Sequence, residues 1–153
     1  MNITRTKDFE LVAKLNRYVH DVHTALYPEY FKAYDYSEIR SFFQRIIETE
    51  EFIFLVLEEV GQPLGYAWIE IRNYPENAFK KAYRSVYVHQ ISIADHMRNQ
   101  GYGSRLMEEV AEVAKSKGIT KVELDYWFDN EAAKIFYRKN NFVKYREFVY
   151  MDL

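Results

Sequence analysis

The run Arg98-Asn99-Gln100-Gly101-Tyr102-Gly103-Ser104 has the residue types and spacing best suited to chemistry. The β-branched stretch Val86-Tyr87-Val88-His89-Gln90-Ile91-Ser92-Ile93 leads into it, and apolar residues at helical spacing, about Gly101 to Lys117, lead out. A strand that feeds a glycine-bearing loop and then a helix N-terminus gathers unpaired N–H groups at one point. The helix dipole adds partial positive charge there. Gly101 and Gly103 let the backbone approach a phosphate with no Cβ in the way, and Arg98 can pair with a phosphate oxygen. The chemistry implied is the holding of a phosphorylated ligand. An ordinary strand-to-helix turn would carry the same string, so at this point both readings stand. It is neither a three-glycine dinucleotide fingerprint nor a Walker loop, which needs Gly-Lys-Ser/Thr.

The elements that must position this loop alternate between helix and strand. Asn2–Arg5 reads as a short first strand. Asp8 reads as the N-cap of a helix carrying Leu11, Val12, Leu15, Val19 and Val22, which Pro28 stops. A second helix, about Ser37 to Thr49, carries Ile39, Phe42, Phe43, Ile46 and Ile47. Phe52–Glu58 and Leu64–Arg72 form a hairpin about Gly61-Gln62-Pro63, and a long strand follows to Ile93. Gly118 ends the next helix as its C′ residue. Ile119–Tyr126 is predicted as a strand, Asn130–Lys139 as the last helix, and Phe142–Met151 as one or two closing strands. The expected fold class is α/β with a mixed, mostly antiparallel sheet flanked by helices, in the order β-α-α-β-β-β-α-β-α-β.

With 153 residues, 48% of them apolar and 18% aromatic, the chain is long enough for a full core and reads as one domain, residues 1–153. A net charge of −2 leaves no basic footprint for nucleic acid. The absence of cysteine removes disulfides, thiolate metal ligands and any acyl-cysteine intermediate. Met1-Asn2-Ile3-Thr4-Arg5 opens no signal-peptide core, and no apolar run approaches a membrane span. A cytoplasmic protein without a membrane partner is therefore expected. His20 and His23 share a helix face, but no third ligand type stands at suitable spacing, so no metal is expected.

Three pieces of the chain, in order, resemble the GNAT-superfamily N-acetyltransferases. They are the strand Val88–Ile93 followed by Arg98-x-x-Gly101-x-Gly103, the strand Val122-Glu123-Leu124-Asp125-Tyr126, and the block Asn130-x-x-Ala133-x-x-Phe136-Tyr137-x-x-x-Asn140-Asn141-Phe142. The resemblance is close from Ser85 to Phe142 and topological before that. Asn141 departs from the family's usual glycine, and asparagine tolerates the left-handed backbone such a turn requires.

The resemblance implies transfer of an acetyl group from acetyl-CoA to a primary amine of a small molecule or peptide. An amine of pKa near 10 is neutral in about one molecule per thousand at neutral pH. The enzyme must therefore accept a proton, and it must return one to the leaving thiolate. Without cysteine, direct attack in a ternary complex is the natural route. The resemblance assigns pantetheine and the acetyl carbonyl to the backbone of Ile91, Ser92 and Ile93. It assigns the pyrophosphate to Arg98, Asn99, Gln100, Gly101, Tyr102, Gly103 and Ser104, and a cofactor contact to Asn130. Tyr137 is implied as general acid. His89 is the candidate base, with Glu70 in reserve. The tyrosine-rich segment Tyr27–Tyr36 falls where the family builds an acceptor wall, and it equally suits a dimer face. A homodimer is expected. Two other activities remain open at this stage: an acyl-CoA-binding regulatory module without turnover, and an acetyltransferase acting on protein N-termini or lysines.

Overall fold

The computed structural model describes residues 1–153. Its elements in chain order are β1 (Asn2–Arg5), α1 (Phe9–Leu26), α2 (Tyr36–Ile46), β2 (Phe52–Glu59), β3 (Gln62–Tyr74), β4 (Tyr83–Ile93), α3 (Tyr102–Ser116), β5 (Val122–Glu123) and α4 (Glu131–Lys139). The five strands form one sheet in the order β1-β2-β3-β4-β5, antiparallel throughout except for the parallel β4–β5 pair. This is the mixed α/β fold class that the sequence pattern implies.

Period-two alternation gives the sheet two buried faces. Ile53, Leu55, Leu57, Ala67, Ile69, Val86 and Val88 pack beneath α3 with its Leu106, Met107, Val110, Val113 and Ala114. The intervening Phe54, Val56, Tyr66 and Trp68 pack beneath α1 and α2 with Val12, Ala13, Leu15 and Phe43. Three of the four α-helices start on a side-chain cap: Asp8 accepts from Leu11 N–H, Asp35 from Glu38 N–H, and Asn130 from Ala133 N–H. Each such cap is worth about 1 kcal/mol. Helix α3 has none.

The register of β4 contains the feature on which the site depends. Trp68 pairs with Gln90 and the next residue, Ile69, pairs with Val88, so His89 has no partner opposite it. The extra residue is a β-bulge, which bends its strand and deepens the local twist. Its effect is visible in the side chains. Val86 and Val88 face the α3 core, and so do Ile91 and Ile93, although Ile91 stands an odd three positions after Val88. Pairing between β4 and β5 consists of Val86↔Val122 and Tyr87↔Glu123 and stops just before the bulge. From Val88 onward β4 has no strand on that side, and the two strands diverge into a fork.

Two sequence expectations change here. The strand predicted over Ile119–Tyr126 is ordered as strand only at Val122–Glu123, because its would-be neighbour turns away at the bulge. The strands predicted over Phe142–Met151 do not form. Residues 143–153 are exposed and without regular structure, since an alternating apolar pattern becomes a strand only beside a partner. Asn141 takes φ +65°, the left-handed angle the departure from glycine required.

Candidate active site

The loop before α3 is built to leave donors free. Gly101 is the N-cap in left-handed backbone (φ +88°), no side chain caps the helix, and Asn99 is also left-handed at φ +62°. The first-turn N–H groups, among them those of Tyr102, Gly103 and Ser104, therefore have neither a helical nor a capping partner. Together with the dipole they form an anion cradle. Arg98 is occupied: its guanidinium donates to Tyr18 O at 2.8 Å and Ile93 O at 3.4 Å and pairs with Asp95 at 2.7 Å. It ties the loop to α1 and β4. Gln100 closes the loop through Nε2 to His96 O (3.0 Å), and the Tyr102 hydroxyl donates to Glu59, so Tyr102 offers the cradle only its backbone.

Gly103 has a role that spacing does not reveal. A Cβ there would lie 3.0 Å from Cε2 and 3.2 Å from Cζ of Phe136, the neighbour of Tyr137. The missing side chain lets α3 pack against α4. Gly103→Val is expected to displace Phe136, to cost about 1–3 kcal/mol of stability, and to weaken acetyl-CoA binding. Thermal unfolding with and without acetyl-CoA measures both. An unchanged melting temperature would show that α4 yields freely.

At the fork, β4 presents backbone. A Cβ on Gly65 of β3 would lie 2.4 Å from Ser92 O, so the Ser92 peptide faces β3. By alternation Ile91 and Ile93 turn their N–H and C=O groups to the open edge. Their side chains pack on the α3 core, and the Ser92 hydroxyl donates to Leu15 O at 2.6 Å.

The two candidate bases are partners. His89 Nε2 stands 2.6 Å from Glu70 Oε2, and Arg72 Nε donates to the same carboxylate oxygen at 2.9 Å. The imidazole is stacked on Trp68 at 4.2 Å, with the Tyr87 ring edge-on at 4.9 Å. Burial alone would raise the Glu70 pKa, but the hydrogen bonds from His89 and Arg72 outweigh it and hold the carboxyl below its ordinary value. Burial lowers the His89 pKa, and Glu70 only partly restores it. At neutral pH the pair is therefore an ionised Glu70 and a neutral His89. An ionised carboxylate only accepts, so Nε2 carries the proton and Nδ1 is left as the basic nitrogen.

Tyr137 is buried, with Tyr126 stacked at 5.6 Å and Phe142 edge-on at 5.5 Å. Burial, then the charge of Asp125 and the Tyr87 phenol, push its pKa well above the ordinary tyrosine value. The other buried tyrosine, Tyr66, donates to Gln90 at 2.5 Å. Tyr137 has no such protein partner for its hydroxyl. Asn130 uses Oδ1 on the Ala133 N–H at 3.0 Å, which leaves its NH₂ group for another contact.

Sequence reasoning did not single out Arg72, Trp68 or Asp125. Asp125 accepts from the Tyr87 hydroxyl at 2.5 Å and lies close enough to Tyr137 to shift its titration. The break in alternation between Val88 and Ile91 was the available signal for the bulge and hence for His89. The tyrosine-rich segment gathers about Trp127 at the surface: Tyr27, Tyr30 and Phe31 meet it at 4.5, 5.5 and 5.3 Å, Tyr27 exchanges hydrogen bonds with Asp129, and Tyr30 stays exposed. With Trp127, which follows Tyr126 in the chain, it forms a partly exposed aromatic wall. His20 Nε2 donates to Lys32 O (2.7 Å) and His23 stacks on Phe31, so both serve packing.

The profile of the acetyltransferase (GNAT) family matches residues 17–142. An uncharacterized N-acetyltransferase of Methanocaldococcus jannaschii is 30% identical over 122 residues, covering 74% of this chain and 53% of the relative. The chain thus spans about half that relative's length. A tetramutant of the Bacillus halodurans protein BH1408 superposes with a TM-score of 0.93 at 24% identity, with 100% of each chain covered. A predicted acetyltransferase of Clostridium acetobutylicum, solved with acetyl-CoA, superposes at 0.70 with 18% identity over 99% of this chain and 95% of its own. With the forked sheet and uncapped helix already in view, the profile match settles the kinship: the chain belongs to the acetyltransferase (GNAT) family of acetyl-CoA-dependent acyltransferases.

Proposed function

We propose that this protein transfers the acetyl group of acetyl-CoA to the primary amine of a small molecule or peptide by direct attack in a ternary complex. The observation that carries this reading is the bulge at His89, which opens β4 from β5 and sets a paired imidazole at the mouth of the opening. The residues present fit the co-substrate. The uncapped start of α3 suits a pyrophosphate, and the edge-facing peptides of Ile91 and Ile93 suit the amides of a pantetheine arm. Acetyl-CoA supplies the acetyl group in activated form, as a thioester.

Each residue then has one task. His89 Nδ1 takes the proton of the incoming ammonium, directly or through water, which leaves the amine lone pair free. Glu70 holds the imidazole in the tautomer that exposes Nδ1 and steadies the positive charge that forms on the ring; Arg72 keeps Glu70 ionised. The edge N–H groups of β4 polarise the carbonyl. The Tyr137 hydroxyl, kept protonated by its raised pKa, donates to the sulfur as it leaves. The wall of Tyr27, Tyr30 and Trp127 supports an acceptor that is aromatic or cationic, held by stacking or cation–π contact.

Release of CoA thiol measured across polyamines, arylalkylamines and short peptides tests the reaction. Turnover with any primary amine supports it, and binding of acetyl-CoA without turnover across the panel contradicts it. Glu70→Gln separates the roles of the pair. The Glu70 charge and hydrogen bond both raise the His89 pKa, so removing the charge moves the acid limb of the pH–rate profile to lower pH. The plateau falls on the order of tenfold or more because the ring loses its orienting partner. Were Glu70 itself the base, the substitution would erase the limb.

A further inference from the structure

Two consecutive side chains of β4, His89 and Gln90, leave the sheet on the same face. His89 stacks on Trp68, which belongs to the apolar cluster beneath α1 and α2. Gln90 turns to the same side and enters a closed triad with Asn16 of α1 and Tyr66 of β3. Its Oε1 accepts from the Tyr66 hydroxyl at 2.5 Å and from Asn16 Nδ2 at 3.0 Å. Asn16 Nδ2 also donates to the Tyr66 hydroxyl at 2.9 Å. Asn16 is 2% exposed and Tyr66 is wholly buried. Asn16 Oδ1 is buried without a partner, so packing alone would favour an apolar residue at that position. What the asparagine adds is a fixed direction for Gln90.

From Val88 onward β4 has no strand on its β5 side, and only β3 holds its backbone. Helix α1 supplies further hold. Besides Asn16 it offers the Leu15 carbonyl to the Ser92 hydroxyl (2.6 Å) and the Tyr18 carbonyl to Arg98 (2.8 Å). The bonds of Gln90 and Ser92 exist only in the bulged register. Were alternation unbroken after Val88, Gln90 and Ser92 would point into the apolar core beneath α3, and Ile91 and Ile93 toward α1. The backbone shows the same switch. Val86 N–H donates away from β3, to Lys121 O (2.9 Å), whereas Ala94 N–H, an even number of residues later, donates toward β3, to Leu64 O (2.8 Å). We infer that Asn16, Tyr66 and Gln90 are positioning residues. The triad fixes the bulge at His89, and through it sets the imidazole on Glu70 and turns the Ile91 and Ile93 peptides to the open edge. The consequence for turnover rests on the proposed reaction; the consequence for the register of β4 does not.

The test uses the full chain and three substitutions. Gln90→Met keeps the length of the side chain and removes both acceptor bonds. Gln90→Glu keeps an acceptor oxygen for Tyr66 and Asn16, and Tyr66→Phe removes one hydroxyl from a ring that stays packed. Amide hydrogen exchange without ligand reads the register. In Gln90→Met the Ser92 and Ala94 amides are expected to exchange on the order of tenfold faster or more, while Leu55 at the centre of β2 is unchanged. The dissociation constant for acetyl-CoA is expected to rise, and kcat to fall, each on the order of tenfold. Tyr66→Phe moves both in the same direction by about threefold, because Asn16 still holds Gln90. Gln90→Glu restores the exchange pattern and the affinity. Three outcomes overturn the inference. One is an unchanged exchange pattern at Ser92 and Ala94 in Gln90→Met. Another is faster exchange at Leu55 to the same extent, which is general loss of stability. The third is a Gln90→Glu variant as impaired as Gln90→Met. An unaltered chain that turns over no amine would contradict the proposed reaction, and the exchange pattern would still decide the role of the triad.

Discussion

Tyr137→Phe lowers kcat by about 10²- to 10³-fold and leaves the dissociation constant for acetyl-CoA within about twofold. The expectation rests on the separation of the ring from its hydroxyl. The ring is packed among Tyr126, Phe136 and Phe142, and phenylalanine preserves that packing. The hydroxyl makes no hydrogen bond to protein, so its removal strands no partner and the variant folds as the parent does. The phenol's only task in this account is donation to the leaving sulfur. Because its pKa is raised, no alkaline limb from Tyr137 enters the pH–rate profile below about pH 10, the ordinary value for tyrosine. Initial rates of thiol release beside calorimetric titration with acetyl-CoA provide the comparison. Full activity in the variant would assign the acid elsewhere.

The second large effect is at the base. His89→Gln keeps a donor toward Glu70 and removes the basic nitrogen, and kcat/KM near neutral pH is expected to fall by about 10²-fold or more. The sign of the pH dependence follows from the buried ring. Burial holds the His89 pKa below its ordinary value near 6.5, and the neutral ring is the active form. In the unaltered enzyme the rate therefore rises with pH through a value under about 6.5 and is level above it. In the variant that limb disappears. A limb unchanged by His89→Gln would transfer the role to ordered water.

The residues differ in how far the sequence alone reveals their roles. The anion loop is legible because it is local: strand, glycines and helix start lie within twenty residues, and the physics of a helix N-terminus needs no distant partner. Asn141 is legible for the same reason, being a single backbone angle. The Glu70–His89 pair is not, because it depends on β3–β4 register, and that register is shifted by the bulge; both residues can be named as candidates without any sign that they touch. Arg98 shows the opposite case, a charge that suits phosphate in one dimension and is spent on Tyr18, Ile93 and Asp95 in three. Gly103 is similar, since its closest neighbour, Phe136, comes from another helix. Residues 143–153 read as strand because their pattern is that of a strand. What the pattern does not contain is the identity of the partner.

In the proposed reaction the opening of β4 from β5 at His89 receives the thioester between Tyr137 and the edge of β4. Determination of the structure with acetyl-CoA bound tests it most directly. The pyrophosphate is expected on the N–H groups of Gly101 to Ser104, the pantetheine amides along Ile91 and Ile93, and the sulfur within hydrogen-bond reach, about 3 to 3.5 Å, of the Tyr137 hydroxyl. A sulfur lying outside the fork, or one within it but facing away from Tyr137, would contradict it.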